Sequence, residues 1–336
     1  MTIILALIIF SILIMVHEAG HFLMAKRAGI KVEEFAIGMG PALWQRKKGE
    51  TLYSIRALPL GGYNRIAGME GDGFDDPRGF NRQPVNRRIG VIAAGSVMNF
   101  LLALLLFMFV FMVIGLPSNQ NVIGQVEPGK PAALAGLQAG DRVVQIEGVP
   151  INTWREMVDI IYQRPGQEIT MGIDRNGEQH NVVLTPIKDP KYGVGLIGIT
   201  PTWERQGLLR SIILGFQETI TITYLILSGM VQMFTGQTPP EVVGPVGIIQ
   251  LVGEAANFGL ANVLNFMAVL SLDLGLINLL PIPALDGSRL VFLGIEAVRG
   301  RPINPEKENY IHMLGFVLLL TLLIFITYKD LIRIFG

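Results

Sequence analysis

The chain has 336 residues, of which 50% are hydrophobic and 16% are charged, and it contains no cysteine. Soluble domains carry about 25% charged residues, so this composition is typical of a membrane protein. A formal net charge of zero gives no support to a nucleic-acid partner. The lack of cysteine excludes disulfide bonds and leaves histidine and carboxylate side chains as candidate metal ligands.

Four apolar segments are long enough for membrane-spanning helices, which need about 20 apolar residues each. They are Ile3–Met24, Val91–Leu116, Ala261–Leu280 and Ile311–Tyr328. A fifth segment, Ser211–Phe234, carries glutamine, glutamate, threonine and serine side chains. This polar content favours an amphipathic helix in the membrane interface, with a further span as the alternative.

The placement of basic residues predicts the orientation in the membrane. Twelve Lys and Arg lie between Lys26 and Arg88, and the loop after the third predicted span holds Arg289, Arg299, Arg301 and Lys307. Cytoplasmic loops carry such an excess, so both regions are predicted to be cytoplasmic. Only an even number of crossings between them fits, which favours four spans. Residues 119–210 and both termini are then outside the cytoplasm.

Two regions between the predicted spans have β character. Val32–Ile37 and Thr51–Ile55 have strand-like composition and flank a Lys-Lys-Gly-Glu turn, which predicts a β-hairpin or small sheet. Residues 121–186 alternate short strands with one helical pattern, Trp154–Gln163, and predict a compact α+β module. The predicted fold is a membrane α-helical bundle of about four transmembrane helices, with a membrane-associated β-hairpin and one inserted α+β domain.

An H-E-x-x-H motif, formed by His17, Glu18 and His21, lies near the end of the first predicted span. Helical residues four apart lie on one face, so both imidazoles can bind the same zinc ion. Glu18 is then placed beside the metal as a general base. The alternative is a pair of ordinary histidines at a helix end, but ionisable residues in apolar spans are costly and are usually functional.

A catalytic zinc ion takes three protein ligands, so a third ligand must come from elsewhere. His180 and His312 have no evident path to the first pair. Asp286 follows the third predicted span, at the same predicted leaflet as the histidines. Two prolines and Gly287 near it break the helix and allow its carboxylate to turn inward. The alternative for Asp286 is a turn residue that ends the helix.

These two motifs, H-E-x-G-H and N-x-x-P-x-P-x-L-D-G, occur in an order that resembles the site-2 protease family of intramembrane metalloproteases. Within it, the chain resembles the bacterial regulator-of-sigma-E protease type with a single PDZ domain. The resemblance implies that His17, His21 and Asp286 bind Zn²⁺ and that Glu18 is the catalytic acid and base. The family's G-x-x-x-N motif is matched by Gly95–Asn99, although small residues in spans often serve helix packing instead.

Two asparagines are predicted to bind the substrate backbone, because an amide both donates and accepts hydrogen bonds. They are Asn99 and Asn278. Asn278 can alternatively stabilise a developing oxyanion, and interhelical packing is the alternative for both.

Two positions depart from the family pattern: Ser288 stands where a second glycine is common, and Asp273 where asparagine is common. Asp273 is not expected to share the metal.

Residues 131–148, with a short helix, a Gly-Asp turn and a following strand, resemble a bacterial PDZ domain. The predicted divisions are 1–116 (zinc motif, β region and second span), 117–190 (PDZ), 191–260 (linker and interfacial helix) and 261–336 (aspartate motif). The PDZ domain is expected to exclude substrates that keep a bulky extracytoplasmic domain. The alternatives are a structural cap, or a peptide-binding site unrelated to exclusion.

The resemblance therefore implies an intramembrane zinc metalloendopeptidase of the bacterial cytoplasmic (inner) membrane. Its active site is expected near the cytoplasmic leaflet, and its PDZ domain outside the cytoplasm. The implied partners are the lipid bilayer and single-span proteins trimmed by another protease, such as anti-sigma factors and remnant signal peptides, with no nucleic acid. One alternative is a non-proteolytic PDZ-bearing membrane scaffold. A transporter is disfavoured because no inverted repeat is visible.

Overall fold

A computed structural model of the chain describes residues 1–69, 75–190, 192–237 and 243–335. The chain divides into two compact units, Met1–Phe109 with Ser211–Gly336, and Val110–Arg210. The inserted unit is wider than the predicted range 117–190, and the predicted domain divisions stay predictions. Residues 191 and 238–242 of the predicted linker lie outside the described residues.

The described helices, in chain order, are α1 (Thr2–Arg27), α2 (Val85–Phe109), α3 (Pro131–Leu134), α4 (Trp154–Tyr162), α5 (Leu208–Phe234), α6 (Pro245–Asn257), α7 (Leu260–Leu279), α8 (Asp286–Arg299) and α9 (Pro305–Phe335). The strands are β1 (Val32–Lys48), β2 (Thr51–Ile66), β3 (Leu116–Pro117), β4 (Ile123–Val126), β5 (Arg142–Ile146), β6 (Val149–Pro150), β7 (Ile169–Arg175), β8 (Glu178–Leu184), β9 (Ile187–Lys188), β10 (Gly195–Leu196), β11 (Ile199–Pro201) and β12 (Trp203–Glu204). A short 3-10 helix (Phe80–Arg82) precedes α2, and a π-helical segment (Val110–Ile114) follows it.

Five described helices are long and apolar enough to cross a membrane. They are Thr2–Arg27, Val85–Ile114, Leu208–Phe234, Leu260–Leu279 and Lys307–Arg333. Four of them contain or overlap the predicted spans. The fifth, α5, has the least hydrophobic window of the five but still qualifies by length and composition. The predicted number of four spans therefore stays a prediction.

The long apolar helices pack closely where small residues face each other. A Cβ atom added at Gly20 of α1 would lie 2.3 Å from the carbonyl oxygen of Ala94 in α2, so glycine permits this approach. Helices α2 and α7 meet where the Ser271 hydroxyl donates to the Asn99 carbonyl oxygen at 2.8 Å. Small and polar residues at such contacts are typical of helices packed in membranes. The packing brings α1, α2 and α7 together, and Asn99 of α2 in turn contacts His17 of α1.

The β-hairpin is confirmed and is longer than predicted, because β1 has 17 residues and β2 has 16. The two strands pair antiparallel with several register shifts. Glu34 is buried in the hairpin and accepts hydrogen bonds from Ser54 and Arg56. Burial alone would raise the pKa of Glu34, but these hydrogen bonds hold it below its ordinary value. The ionised carboxylate thereby ties the two strands together.

Part of the predicted linker is the helix α6, which packs against α9. The helix begins at Pro245, after Gly244, and proline is well suited to the first helical turn. The Gly247 N–H donates to the Asp330 carboxylate of α9 at 2.8 Å. A Cβ atom at Gly244 would lie 2.7 Å from the same carboxylate, so glycine makes room for this contact.

The inserted unit has a conventional apolar core. Its four-stranded sheet has the order β6-β5-β7-β8, and α4 matches the predicted Trp154–Gln163 helix closely. Thr153 and Glu156 form a capping box at the start of α4. The burial of apolar side chains supplies the hydrophobic stabilisation of this unit. The fully buried side chains include Ile123, Val143, Ile146, Met157, Ile169, Met171 and Ile173.

Candidate metal centre and active site

Helix α1 supplies two buried imidazoles. His17 and His21 are one helical turn apart, and their rings meet edge to face with centroids 4.8 Å apart. Their Nε2 atoms are 3.1 Å apart. Both rings therefore direct one nitrogen at the same place, as the H-E-x-x-H spacing predicts.

Asp286, the first residue of α8, completes the group. Its Oδ2 atom lies 3.1 Å from His17 Nε2 and 3.2 Å from His21 Nε2. A Cβ atom at Gly287 would lie 2.1 Å from the Leu280 carbonyl oxygen, so glycine allows α8 to fold back over the end of α7. Burial alone would raise the pKa of Asp286, but the two histidines hold it well below its ordinary value. The carboxylate is therefore ionised, which is the form that can bind a metal.

The three candidate ligand atoms fit a zinc ion. Zinc takes imidazole nitrogen and carboxylate oxygen at about 2.0 Å in a tetrahedron, which separates ligand atoms by about 3.3 Å. The separations in this group are 3.1, 3.1 and 3.2 Å. Three protein ligands also leave the fourth position open for water, as catalytic zinc sites do. The group can therefore hold zinc without rearrangement of the backbone.

Helix α2 supports both imidazoles. His21 Nδ1–H donates to the Val91 carbonyl oxygen at 2.8 Å, which leaves the Nε2 lone pair for a metal. A Cβ atom at Gly95 would lie 2.5 Å from His21 Nε2 and 2.7 Å from His17 Nε2. The glycine of the G-x-x-x-N motif thus makes room for the rings, which the motif's sequence alone did not indicate.

Asn99 lies against the other side of His17. It is fully buried, and its amide Nδ2 is 3.2 Å from His17 Nδ1. Its Oδ1 has no hydrogen-bond partner among the described residues. If the Asn99 amide is flipped, so that its oxygen and nitrogen exchange places, Oδ1 accepts a hydrogen bond from His17 Nδ1–H. His17 then has the tautomer that binds metal through Nε2. The predicted contact of Asn99 with substrate stays a prediction.

Glu18 has a partner that the sequence did not indicate. The Asn64 amide of β2 donates to the Glu18 carboxylate at 2.8 Å and also to the Glu18 carbonyl oxygen. The opposite amide orientation would set oxygen against oxygen, so these two acceptors fix it. Asn64 lies 46 residues from Glu18 in the chain, and only the register of the long hairpin brings them together.

The other polar candidates lie on α7, β8 and α9. Asn278 is half-buried in the last turn of α7. Asp273 is half-buried in α7, outside the metal group, as expected. His180 lies on β8 of the inserted unit. His312 of α9 accepts a hydrogen bond from the backbone of the turn that precedes Asp286.

Comparison with known proteins identifies the class. The profile of Peptidase family M50 matches residues 5–322. A putative zinc metalloprotease of Clostridium acetobutylicum is 39% identical over 98% of this chain and 97% of its own length. The zinc metalloprotease RasP of Oceanobacillus iheyensis and the regulator of sigma-W protease RasP of Bacillus subtilis are each 34% identical over 99% of both chains.

From these matches, the chain is a zinc metalloprotease, and zinc is its cofactor. It belongs to Peptidase family M50. Its long apolar helices fit a multi-pass membrane protein. The alternative of a non-proteolytic scaffold is thereby removed.

A solved PDZ domain of an SdrC-like protein from Listeria monocytogenes matches 25% of this chain and 87% of its own length. The identity is 24% and the TM-score is 0.23, which is too low to carry the assignment. The PDZ domain therefore stays a prediction from the sequence of residues 131–148.

Proposed function

We propose that the chain is an intramembrane zinc protease in which His17, His21 and Asp286 hold the metal and Glu18 is the catalytic acid and base. The supporting observation is the triangle of ligand atoms, with sides of 3.1–3.2 Å. These atoms come from two helices, and His17 and Asp286 are 269 residues apart in the chain. Their donor types are those that zinc prefers.

Zinc supplies Lewis acidity to such a site and makes a water molecule acidic enough to act near neutral pH. Glu18, next to His17 on α1, accepts the proton of the attacking water and then donates it to the leaving amine. The hydrogen bond from Asn64 holds the Glu18 carboxylate in one orientation during this transfer. Asn99 and Val91 keep the Nδ1 atoms of the two imidazoles occupied, which leaves the Nε2 atoms for the metal.

The substrate is proposed to be a transmembrane segment that has unwound. A helix hides its peptide bonds in its own hydrogen bonds, so cleavage requires an extended backbone with new partners. Residues 34–37 of β1 pair on both sides, with residues 52–55 and 62–65 of β2. The edges that can add a strand of substrate therefore lie along the second halves of β1 and β2. Asn278 is proposed to hold the substrate backbone or the developing oxyanion, and Asn99 is proposed to act on substrate or through His17.

The proposed location is the bacterial cytoplasmic membrane, with the active site near the cytoplasmic leaflet and the inserted unit outside the cytoplasm. The basic segment between Lys26 and Arg88 supports this orientation. A relative from Bacillus subtilis is a regulator of sigma-W protease, which supports anti-sigma factors as substrates. Remnant signal peptides are proposed as further substrates, and another protease is proposed to trim the substrates first. The inserted unit is proposed to exclude substrates that have not been trimmed.

The test is cleavage of single-span proteins by purified chain in detergent and in co-expression. Wild type is expected to cut within or near the transmembrane segment, and Glu18→Gln is expected to bind zinc but not to cut. Deletion of residues 117–190 tests exclusion, since it is expected to allow cleavage of untrimmed substrates. Full activity in Glu18→Gln, or cleavage only in soluble regions, would contradict the proposal.

A further inference from the structure

The turn that delivers Asp286 contains a strained residue. Ala284 has a φ of +75°, in the left-handed region that residues with a Cβ atom rarely adopt. Such a conformation persists only when the surrounding structure holds it. Ala284 is two residues before Asp286, so its conformation determines where the carboxylate points.

One side chain of α9 holds this turn. The Ala284 N–H donates to His312 Nδ1 at 3.1 Å. Because a backbone N–H can only donate, Nδ1 must be unprotonated, and the ring proton of neutral His312 is on Nε2. The Glu308 carboxylate lies 3.8 Å from Nε2, and the Phe292 ring meets the imidazole edge to face with centroids 5.8 Å apart. The imidazole therefore has neighbours on α8 and α9 as well as in the turn before Asp286.

A second contact lies one turn further along α9. A Cβ atom added at Gly315 would lie 2.3 Å from the Pro283 Cβ and 2.6 Å from its carbonyl carbon and oxygen. Residues three apart share a helix face, so His312 and Gly315 present one surface to the turn. The helix thus touches the backbone of two successive residues, Pro283 and Ala284.

We infer that His312 is a positioning residue for the metal site, holding Ala284 in its strained conformation and so placing the Asp286 carboxylate beside His17 and His21. This rests on the proposed role of Asp286. Without the acceptor, Ala284 relaxes toward negative φ, and the fraction of chains with Asp286 in place falls. Apparent metal affinity falls by the same fraction.

The test measures zinc affinity by competition with a chelator, and the absorption spectrum of the cobalt-substituted protein. His312→Leu removes the acceptor and is expected to lower zinc affinity about 10-fold or more. Loss of a residue that orients a metal ligand typically has an effect of this size. It is also expected to alter the cobalt spectrum. His312→Asn keeps an oxygen near the position of Nδ1 and is expected to retain most of the affinity. His180→Leu, in the inserted unit, is the matched control and is expected to leave affinity unchanged.

Ala284→Gly provides the decisive comparison, because glycine adopts positive φ without strain. In the Ala284→Gly background, His312→Leu is expected to lower zinc affinity less than it does in wild type, with a fold-loss at least about 3-fold smaller. A purely packing role for His312 predicts equal factors, and that result would overturn the inference. Wild-type zinc affinity in a folded His312→Leu protein would overturn it as well. If Asp286→Ala retains zinc, the proposed function fails instead.

Discussion

The two compact units both have apolar cores but differ in how many polar side chains they bury. The inserted unit encloses isoleucine, valine and methionine, as in Ile146, Met157 and Met171, and buries few of its described polar side chains. The membrane unit, Met1–Phe109 with Ser211–Gly336, has apolar clusters too, but it also buries many polar side chains, such as His17 and Asn99. It exposes large apolar side chains along its helices. Lipid is as apolar as the helix surface, so burial of apolar groups does not hold these helices together, and polar and close-packed contacts specify their arrangement.

This difference predicts where a substitution acts. In the membrane unit, substitutions of the buried polar and glycine residues that contact His17, Glu18 or His21 are expected to affect zinc binding and catalysis directly. In the inserted unit, comparable substitutions are expected to affect stability and to leave zinc binding intact.

The largest expected effect comes from Glu18→Gln. Loss of the general base is expected to lower cleavage by about 10²–10⁴-fold, because proton transfer contributes that much to catalysis. Zinc content and thermal stability are expected to match wild type, since the metal ligands are retained. Cleavage assays with zinc analysis check this, and wild-type turnover would show that Glu18 is not the base.

Gly95→Ala is expected to lower zinc affinity about 10–100-fold, because the new Cβ atom would lie 2.5 Å from His21 Nε2. Gly229→Ala in α5 is the matched control, since a Cβ atom there meets nothing within 4 Å. Zinc affinity of both proteins is measured by chelator competition. Equal affinities would mean that α2 does not confine the imidazoles.

Asn64→Leu is expected to lower kcat about 10–100-fold while KM and zinc content change little. The substitution removes a hydrogen bond to a charged group, which is worth about 1.5–3 kcal/mol. Steady-state kinetics separate kcat from KM. Asn64→Ser, which keeps a donor, is expected to recover part of kcat, and a change in KM alone would contradict the positioning role.

The smallest expected effect on zinc comes from the inserted unit. Asp141 is buried and paired with Arg175 at 2.7 Å. Burial alone raises the pKa of Asp141, but hydrogen bonds from Arg175 and the Gln138 N–H hold it below its ordinary value of 3.8. Its contribution to stability is therefore present above pH 3.8 and is lost as the pH falls through the lower folded pKa.

Asp141→Asn is expected to destabilise the unit by about 1–3 kcal/mol at neutral pH and by less in acid. Denaturation at several pH values measures this, with zinc content as the control. A loss of zinc in this variant would contradict the expectation that substitutions in the inserted unit leave zinc binding intact.

The sequence was sufficient for the elements with strong local signals. The helices of the four predicted spans, the hairpin and α4 follow from runs and periods of apolar residues. The H-E-x-x-H spacing placed His17 and His21 on one face. The approach of Asp286 to the histidines followed from charge placement and two helix-breaking prolines. The family resemblance supplied the role of each residue.

The contacts that depend on register and packing were beyond the sequence. Asn64 reaches Glu18 only because the hairpin continues well past the predicted strand end at Ile55. Gly95 faces the imidazoles because of how α1 crosses α2, and His312 reaches the turn before Asp286 through the packing of α9. The residues of each contact are far apart in the chain, and no fixed sequence spacing links them, so a single sequence does not reveal these contacts.

The most direct test of the metal centre is zinc X-ray absorption on purified Glu18→Gln protein, alone and combined with Asp286→Ala. We expect one zinc ion per chain, bound by two imidazole nitrogens and a carboxylate oxygen, and its loss when Asp286 is replaced. A zinc ion with unchanged coordination after Asp286→Ala, or one that lacks imidazole ligands, would contradict the assignment of His17, His21 and Asp286.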